Sequence, residues 1–288
     1  MQAMAIPALP PLTTQNITNA RTAALSLLYC DISILIVTFV QESSIVRRIW
    51  GDADVILLVF AGSAAEFALN KAVDWLFITG KLPADPIGRL FSTVQYAQQI
   101  VFSDAAQARQ AVGRMATIHG GVEAKRGYAI PDWAYRDVLF MLIDYSERAY
   151  TLLHRPLTDP ERAELFDVFR RVGEGMAVQA LPATYTDWQT DRQQHLVNDL
   201  ERSTYTDTLF RRYREEIGDW RYNLLRQAQS LLVPPRVAQL LDLPQRPLLR
   251  RLLWIYPVAR ALGLRAVVQQ ILLPATYLSR IQGLERKS

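Results

Sequence analysis

Hydrophobic side chains recur along most of this chain at the three- and four-residue spacing of α-helices. The longest regular stripe follows Pro131-Asp132 and consists of Tyr135, Val138, Leu139, Leu142, Ile143, Ala149, Tyr150 and Leu153. Side chains at this spacing lie on one face of a helix, so the stripe predicts a helix with one buried side. The polar–apolar alternation of β-strands is nearly absent. We therefore predict an all-α fold.

Capping motifs and prolines divide the second half of the chain into further helices. Thr158-Asp159-Pro160-Glu161 is a capping box with a proline near the first helical position. Thr186-Asp187-Trp188-Gln189 predicts the start of another helix, which continues to about residue 200. Beyond Gly218, the pattern predicts helices over residues 220–232 and 248–262, and a last helix from Leu264 that breaks at Pro274.

Two N-terminal segments differ in composition from the rest of the chain. Residues 1–15 contain no basic cluster of the kind that opens a signal peptide, so they predict a flexible arm. Residues 22–40 are the most apolar stretch and have about the length of a membrane span. Asp31 lies in the middle, where a charge costs about 2.5–3.5 kcal/mol in a membrane. We therefore favour a buried pair of helices over a span, and predict one helical domain over residues 16–288.

Residues 89–121 hold most of the side chains that could carry chemistry, on two consecutive predicted helices. Arg89, Thr93 and Tyr96 share one face of the first helix. The second helix is predicted to begin at Ser103-Asp104 and to end at Gly120-Gly121. His119 falls on the apolar face of this second helix, and is therefore predicted to point towards what the helix buries.

Each of these residues also has an ordinary structural explanation. A histidine in the last turn of a helix is favoured by the helix dipole and by free carbonyl groups. An arginine on a helix surface commonly forms a salt bridge, and a threonine commonly bonds back to its own helix. Position alone therefore leaves the roles of Arg89, Thr93 and His119 open.

Composition limits the functions that the chain can have. The formal net charge is +4, and the basic residues are scattered rather than gathered into the stripe of a nucleic-acid groove. There is one cysteine, Cys30, so an intramolecular disulfide is excluded and an iron–sulfur cluster is disfavoured. Three histidines cannot easily build a multi-histidine metal centre, whereas one is enough to bind a haem. Glycine-rich phosphate loops, GxSxG and HExxH motifs do not occur.

The order R-x-x-x-T on one helix, followed a helix later by I-H-x-x-V, resembles the haem-binding core of the MpaB/rubber-oxygenase family, which includes the latex-clearing proteins. The matching residues are Arg89, Thr93 and His119. The resemblance spans roughly residues 45–220 and implies a multi-helix, globin-like haem-binding core. It also implies a b-type haem with His119 as the axial iron ligand, and Arg89 and Thr93 as pocket residues that take part in catalysis.

The resemblance further implies an enzyme that uses dioxygen to cleave an alkene or otherwise oxidise a hydrophobic, isoprenoid-like substrate. A non-enzymatic haem or lipid carrier and a structural or interaction protein are the alternatives. No nucleic-acid partner is predicted. We expect a cytoplasmic protein. Peripheral contact with a membrane is one way in which it could reach a hydrophobic substrate. The sequence does not indicate the oligomeric state.

This chain departs from the family pattern near the predicted site. Ser92 stands where the latex-clearing branch has a lysine, and Ala61-Gly62 stands where a His-Pro pair is common. Glu66 is a candidate for the catalytic base of that branch, although we favour a helix-capping or surface carboxylate. His154 and His195 are predicted to be solvated rather than ligands.

Overall fold

The chain folds into helices, as the computed structural model shows for residues 38–78, 85–251, 253–264, 270, 274, 277 and 283–285. No β-strand occurs in this described part, which confirms the all-α prediction. The predicted arm over residues 1–15 and almost all of the apolar segment 22–40 lie outside the described residues. The predicted last helix after Leu264 lies largely outside them as well.

Twelve α-helices and a 3-10 turn follow one another along the described residues. They are α1 (Ile45–Gly51), α2 (Ala53–Phe67), α3 (Trp75–Ile78), α4 (Pro86–Phe102), α5 (Ala105–Arg126), α6 (Asp132–Leu153), α7 (Asp159–Gly175), α8 (Tyr185–Asn198), α9 (Thr204–Ile217), α10 (Asp219–Leu232), α11 (Pro235–Leu240), the 3-10 turn Leu248–Arg251 and α12 (Tyr256–Ala261).

The core is built around α2, which packs along α6 and also against α1 and α10. Helix α2 is apolar on nearly all sides, and most of its residues are buried. A helix with this composition belongs inside the protein, because no face of it gains by contact with water. The stripe predicted after Pro131 is confirmed, since α6 buries Leu139, Ile143 and Ala149.

The predicted helix starts are partly confirmed. Thr158 and Glu161 form the predicted capping box at the start of α7. The prediction of a box at Thr186 was wrong, because the box begins two residues earlier, at Thr184. The hydroxyl of Thr184 accepts a hydrogen bond from the N–H of Asp187, and the carboxylate of Asp187 accepts one from the N–H of Thr184 at 3.1 Å. Both threonines are followed by a polar residue three positions later, so the local sequence did not distinguish them.

The prediction of one continuous helix over residues 248–262 was also wrong. A 3-10 turn at Leu248–Arg251 is followed by turns, and α12 begins only at Tyr256. Pro257 has no N–H and its ring clashes with a preceding helical turn, so it fits the first turn of a helix and not the interior.

The polar side of α12 is fixed to the start of α2. Tyr256 donates a hydrogen bond from its hydroxyl to Asp54 at 2.8 Å, and Arg260 pairs with Asp52 at 2.7 Å. Trp254, just before α12, and Val258 within it are exposed. Among the described helices, none combines the length and apolarity needed to cross a lipid bilayer. The predicted peripheral contact with a membrane stays a prediction.

Candidate cofactor site and a buried ionic cluster

Helices α4 and α5 carry the three residues that the sequence predicts for a site, and the two helices pack against each other. Asp85 caps α4, because its carboxylate accepts the N–H of Gly88 at 2.7 Å. Asp104 caps α5 in the same way through the N–H groups of Ala106 and Gln107, as predicted. These caps fix the first residues of both helices, and they place Arg89 in the first turn of α4.

His119 lies inside α5 and not at its end. The helix continues past the two glycines at 120 and 121 to Arg126, and Gly127 ends it in the left-handed conformation with a φ of 83°. The prediction that Gly120-Gly121 ends the helix was therefore wrong. Because about two turns follow His119, free carbonyl groups and the helix end do not explain a histidine at this position.

The ring of His119 is partly enclosed by the neighbouring helix. Its Nδ1 atom is buried and has no hydrogen-bond partner among the described residues. The ring packs edge-on against Tyr135 of α6, with 5.3 Å between the ring centroids. Tyr135 in turn donates its hydroxyl to Glu123 at 3.3 Å. A buried polar atom without a partner is uncommon in proteins and calls for an explanation such as a missing ligand.

Burial is the main reason why the pKa of His119 lies below its ordinary value, because a buried imidazolium loses hydration. The carboxylate of Glu123 opposes this shift, whereas the positive charge of Arg89 adds to it. The ring is therefore neutral near pH 7, and one of its nitrogens keeps a lone pair. A neutral imidazole with a lone pair is what an iron or other metal ligand requires.

Arg89 is exposed, but it is near enough to His119 for its charge to lower the pKa of the ring. It forms no salt bridge with any residue in the described ranges. Thr93 is exposed as well, and its hydroxyl donates to the carbonyl of Arg89 at 3.2 Å. Arg89 is thus close enough to His119 to act on its charge, while the Thr93 hydroxyl is engaged with its own helix.

The residues around His119 are compatible with a haem at the level of donor atoms. They offer a neutral imidazole with a buried, unpartnered nitrogen, and an arginine that is not paired with a described carboxylate. Arginine suits the bidentate binding of carboxylates such as haem propionates. Tyr135 was predicted only as a core residue, and Glu123 was not considered, because their contact with the site depends on how α6 packs against α5.

A second cluster of charged side chains lies in the core, where α2, α6 and α8 meet. Arg192 pairs with Glu66 at 2.6 Å and with Asp144 at 2.9 Å. The Nε2 atom of His195 lies 2.8 Å from a carboxylate oxygen of Glu66, and its Nδ1 atom lies 2.8 Å from a carboxylate oxygen of Asp137. The Nδ1 contact is an ion-pair distance without the alignment of a hydrogen bond. All five residues are buried.

This cluster contradicts two sequence-based predictions. Glu66 is fully buried, and so it is neither a surface nor a capping carboxylate; it also accepts the hydroxyl of Tyr145 at 2.8 Å. His195 is only 2 % exposed, and so it is not solvated. His154 is exposed, as predicted, although its Nε2 also lies 3.2 Å from a carboxylate oxygen of Asp52. The charged residues that flank His195 in sequence suggested a surface helix, but the partners that bury it come from distant helices.

The charges in the cluster compensate one another. Burial alone raises the pKa of Glu66, but the charge and hydrogen bonds of Arg192, together with His195, lower it to about 2. Burial alone lowers the pKa of His195, but Asp137 and Glu66 raise it to about 9. A carboxyl group with so low a pKa is a weak proton acceptor, so Glu66 is a poor candidate for the catalytic base.

Asp137, His195 and Asp199 bring three potential metal-binding atoms within 4.8 Å of one another. The raised pKa of His195 means that both ring nitrogens carry protons at neutral pH. A protonated Nδ1 has no lone pair for a metal ion. A metal ion bound here would therefore have to displace the Nδ1 proton, and in the structure these carboxylates surround an imidazolium.

The stability of the protein is expected to depend on pH through this cluster. The folded-state pKa of His195, about 9, is above the unfolded value of about 6.5, so its contribution is complete below pH 6.5 and is lost as the pH rises through 9. This loss is at most about 3 kcal/mol. Glu66 has a lowered pKa, so its contribution is complete above about pH 4.5 and is lost as the pH falls towards 2.

Urea unfolding between pH 3 and pH 10 measures this dependence. We expect the alkaline loss in the wild-type chain and a much smaller one in His195→Gln, which cannot gain or lose the proton. His154→Gln is the control, since it removes a less buried histidine. An alkaline limb that is the same in the wild type and in His195→Gln would show that another group causes it.

Helical domains of this kind build cofactor and ligand sites from side chains on facing helices. Residues 47–267 match the family described as "ER-bound oxygenase mpaB/B'/Rubber oxygenase, catalytic domain", and the chain belongs to this family. The predicted resemblance is confirmed, and the match extends beyond the predicted residues 45–220. No curated protein and no solved structure matches the chain, so the globin-like form of the core stays a prediction.

Proposed function

We propose that this chain is a haem b-dependent oxygenase that cleaves an alkene in, or otherwise oxidises, a hydrophobic, isoprenoid-like substrate. The observation that carries the proposal is the ring of His119, which is neutral and has a buried, unpartnered nitrogen. This ring lies within the part of the chain that belongs to a family of oxygenase catalytic domains. Oxygenase chemistry follows from the family, whereas the haem and the substrate class are our proposal.

In this proposal the protein contributes binding, orientation and charge, while the haem iron supplies the activation of dioxygen. A ring nitrogen of His119 holds the iron. The guanidinium of Arg89 is exposed and has no carboxylate partner among the described residues, so it can pair with a haem propionate. Thr93 can donate a hydrogen bond in the pocket after its hydroxyl turns away from the carbonyl of Arg89.

Tyr135 and Glu123 act on His119 and not on the substrate. Tyr135 limits the rotation of the imidazole by packing against its edge. Glu123 accepts hydrogen bonds from the Tyr135 hydroxyl and from the N–H of Ile130 at 2.8 Å, so it fixes the tyrosine. Residues that orient a metal-binding histidine commonly tune how strongly it binds.

The visible absorption spectrum tests the proposal. Protein produced with a haem precursor is expected to show a Soret band, and His119→Ala is expected to remove the band or shift it, because the iron would lose its histidine ligand. His154→Ala is the matched control: it also removes a histidine, but one that contacts Asp52 far from α5 in sequence. Its spectrum should equal that of the wild type.

A wild-type chain without a Soret band, even after haemin is added, contradicts the proposal. An unchanged spectrum of His119→Ala would show that another residue binds the iron. If the band is present, oxygen consumption with isoprenoid substrates separates an oxygenase from a haem carrier, because a carrier consumes no oxygen above the rate without substrate.

A further inference from the structure

A cavity of about 230 Å³ lies where α9 meets α10, and it is lined by four arginines. They are Arg202, Arg211, Arg214 and Arg226, and we call this cavity the arginine pocket. Asp207 is the acidic side chain in the lining. None of these residues belongs to the proposed haem site, so the pocket is independent of the proposed function.

Two of the four arginines are held in place by protein acceptors. Arg202 is bound to Asp207 at 2.9 Å and to Asp242 at 3.0 Å, so its charge is already neutralised. Arg226 donates through a single nitrogen, Nη2, to the carbonyls of Leu241 and Asp242, at 2.8 Å each. Arg226 is thereby fixed at the wall of the pocket, while its Nε and Nη1 groups have no partner within the described ranges.

The other two arginines keep free donors to different extents. Arg211 donates from Nη2 to the hydroxyl of Thr208 at 3.3 Å and has no carboxylate partner among the described residues. Arg214 forms an ion pair with Asp219 through Nε at 2.5 Å, and its two Nη groups have no partner among the described residues. A guanidinium has five N–H groups, so each of these side chains keeps several donors for a ligand. Together with Arg226, three guanidinium groups offer donors to one cavity.

Two aromatic residues, Phe210 and Tyr222, belong to the lining of the pocket. The guanidinium of Arg226 lies 6.0 Å from the centroid of the Phe210 ring, and Tyr222 packs edge-on against the same ring. Both aromatic rings line the cavity. A ligand in this space therefore meets both charged donors and aromatic residues.

We propose that the arginine pocket binds a small molecule that carries a phosphate group and a planar or apolar part. A phosphate has several acceptor oxygens that can bond to more than one guanidinium, and arginine suits this recognition. The planar or apolar part then packs against Phe210 and Tyr222. The phosphate belongs either to a soluble ester or to a lipid headgroup, since both present the same chemistry to the pocket.

Isothermal titration with phenyl phosphate and with inorganic pyrophosphate tests the proposal. Both are expected to bind, and phenyl phosphate is expected to release more heat because its ring can pack against Phe210 and Tyr222. Arg211→Gln and Arg214→Gln should each weaken binding by about 10-fold or more, which is the effect of losing one charge-assisted hydrogen bond. Circular dichroism checks that the variants are folded.

Arg212→Gln is the matched control, because Arg212 adjoins Arg211 in sequence but pairs with Glu215 at 2.9 Å and does not line the cavity. It should leave binding nearly unchanged. If Arg212→Gln weakens binding as much as Arg211→Gln, the effect is a general one of net charge and the pocket is not a site. Failure of both probes to bind at millimolar concentration would also overturn the proposal.

Vesicles separate the two sources of the phosphate. Sedimentation with phosphatidate-containing vesicles that is lost in Arg211→Gln and kept in Arg212→Gln assigns the pocket to a lipid headgroup. Binding of phenyl phosphate without vesicle sedimentation assigns it to a soluble ester.

Discussion

Replacing Arg192 with methionine is expected to lower the free energy of unfolding by about 3–5 kcal/mol. The side chain of Arg192 is only 3 % exposed, and it pairs with the carboxylates of Glu66 and Asp144. Methionine fills a similar volume but has no charge, so it leaves both carboxylates in the core without this cation. His195 alone then faces the charge of Glu66.

Arg148→Met is the control, because Arg148 also pairs with Asp144, at 2.6 Å, but its side chain is 39 % exposed. An exposed ion pair contributes at most about 1 kcal/mol, so this change should have a small effect. Chemical denaturation of the two variants and the wild type measures the difference. Equal losses in the two variants would mean that burial does not determine the strength of the cluster.

A second substitution identifies the cause of the loss. Glu66→Gln removes one of the carboxylates that Arg192 neutralises, so the double variant Arg192→Met, Glu66→Gln should lose less than the sum of the two single losses. Simple additivity would indicate that Arg192→Met acts through lost packing and not through an uncompensated charge.

Gly62→Ala is expected to destabilise the chain by about 1–3 kcal/mol, because the new methyl group has no space. A β-carbon at Gly62 would lie 2.3 Å from a ring carbon of Tyr145. This ring cannot move away easily, since Tyr145 is fully buried and its hydroxyl is bound to Glu66. The same substitution would therefore disturb both the packing of α2 against α6 and the charged cluster.

Gly113→Ala on α5 is the matched control for this substitution. A β-carbon there meets no atom within 4 Å, and the residue is exposed inside a helix. Alanine favours a helix over glycine by about 0.5–1 kcal/mol, so Gly113→Ala should stabilise the chain. Thermal unfolding of the two variants should shift in opposite directions. No loss of stability in Gly62→Ala would contradict the packing described for α2, whereas a loss in Gly113→Ala would contradict the open space described at that residue of α5.

The sequence alone offered no reason for a glycine at position 62, inside the apolar helix α2. In the structure the missing side chain at Gly62 leaves room for Tyr145. The sequence contained both residues, but their contact depends on the register between α2 and α6, which no local pattern encodes.

The surroundings of His119 could also be predicted only in part from the sequence. Its place on the apolar face of α5 was predicted from spacing. Its distance from the helix end was predicted wrongly, because a pair of glycines usually ends a helix. The helix continues because contacts beyond the glycines hold it: Arg126 pairs with Asp74 at 2.6 Å and stacks 3.9 Å from the ring of Trp75. These contacts compensate for the low helix propensity of glycine.

The sequence by itself determined the helical class, several helix starts such as Thr158, and membership of the oxygenase family. These depend on residues that are near one another along the chain, whose spacing and caps act locally. Only the tertiary structure decided that Glu66 and His195 are buried partners, because 129 positions separate them. A charged residue near other charged residues in sequence resembles a surface residue, and its burial becomes favourable only when the fold brings the opposite charge to it.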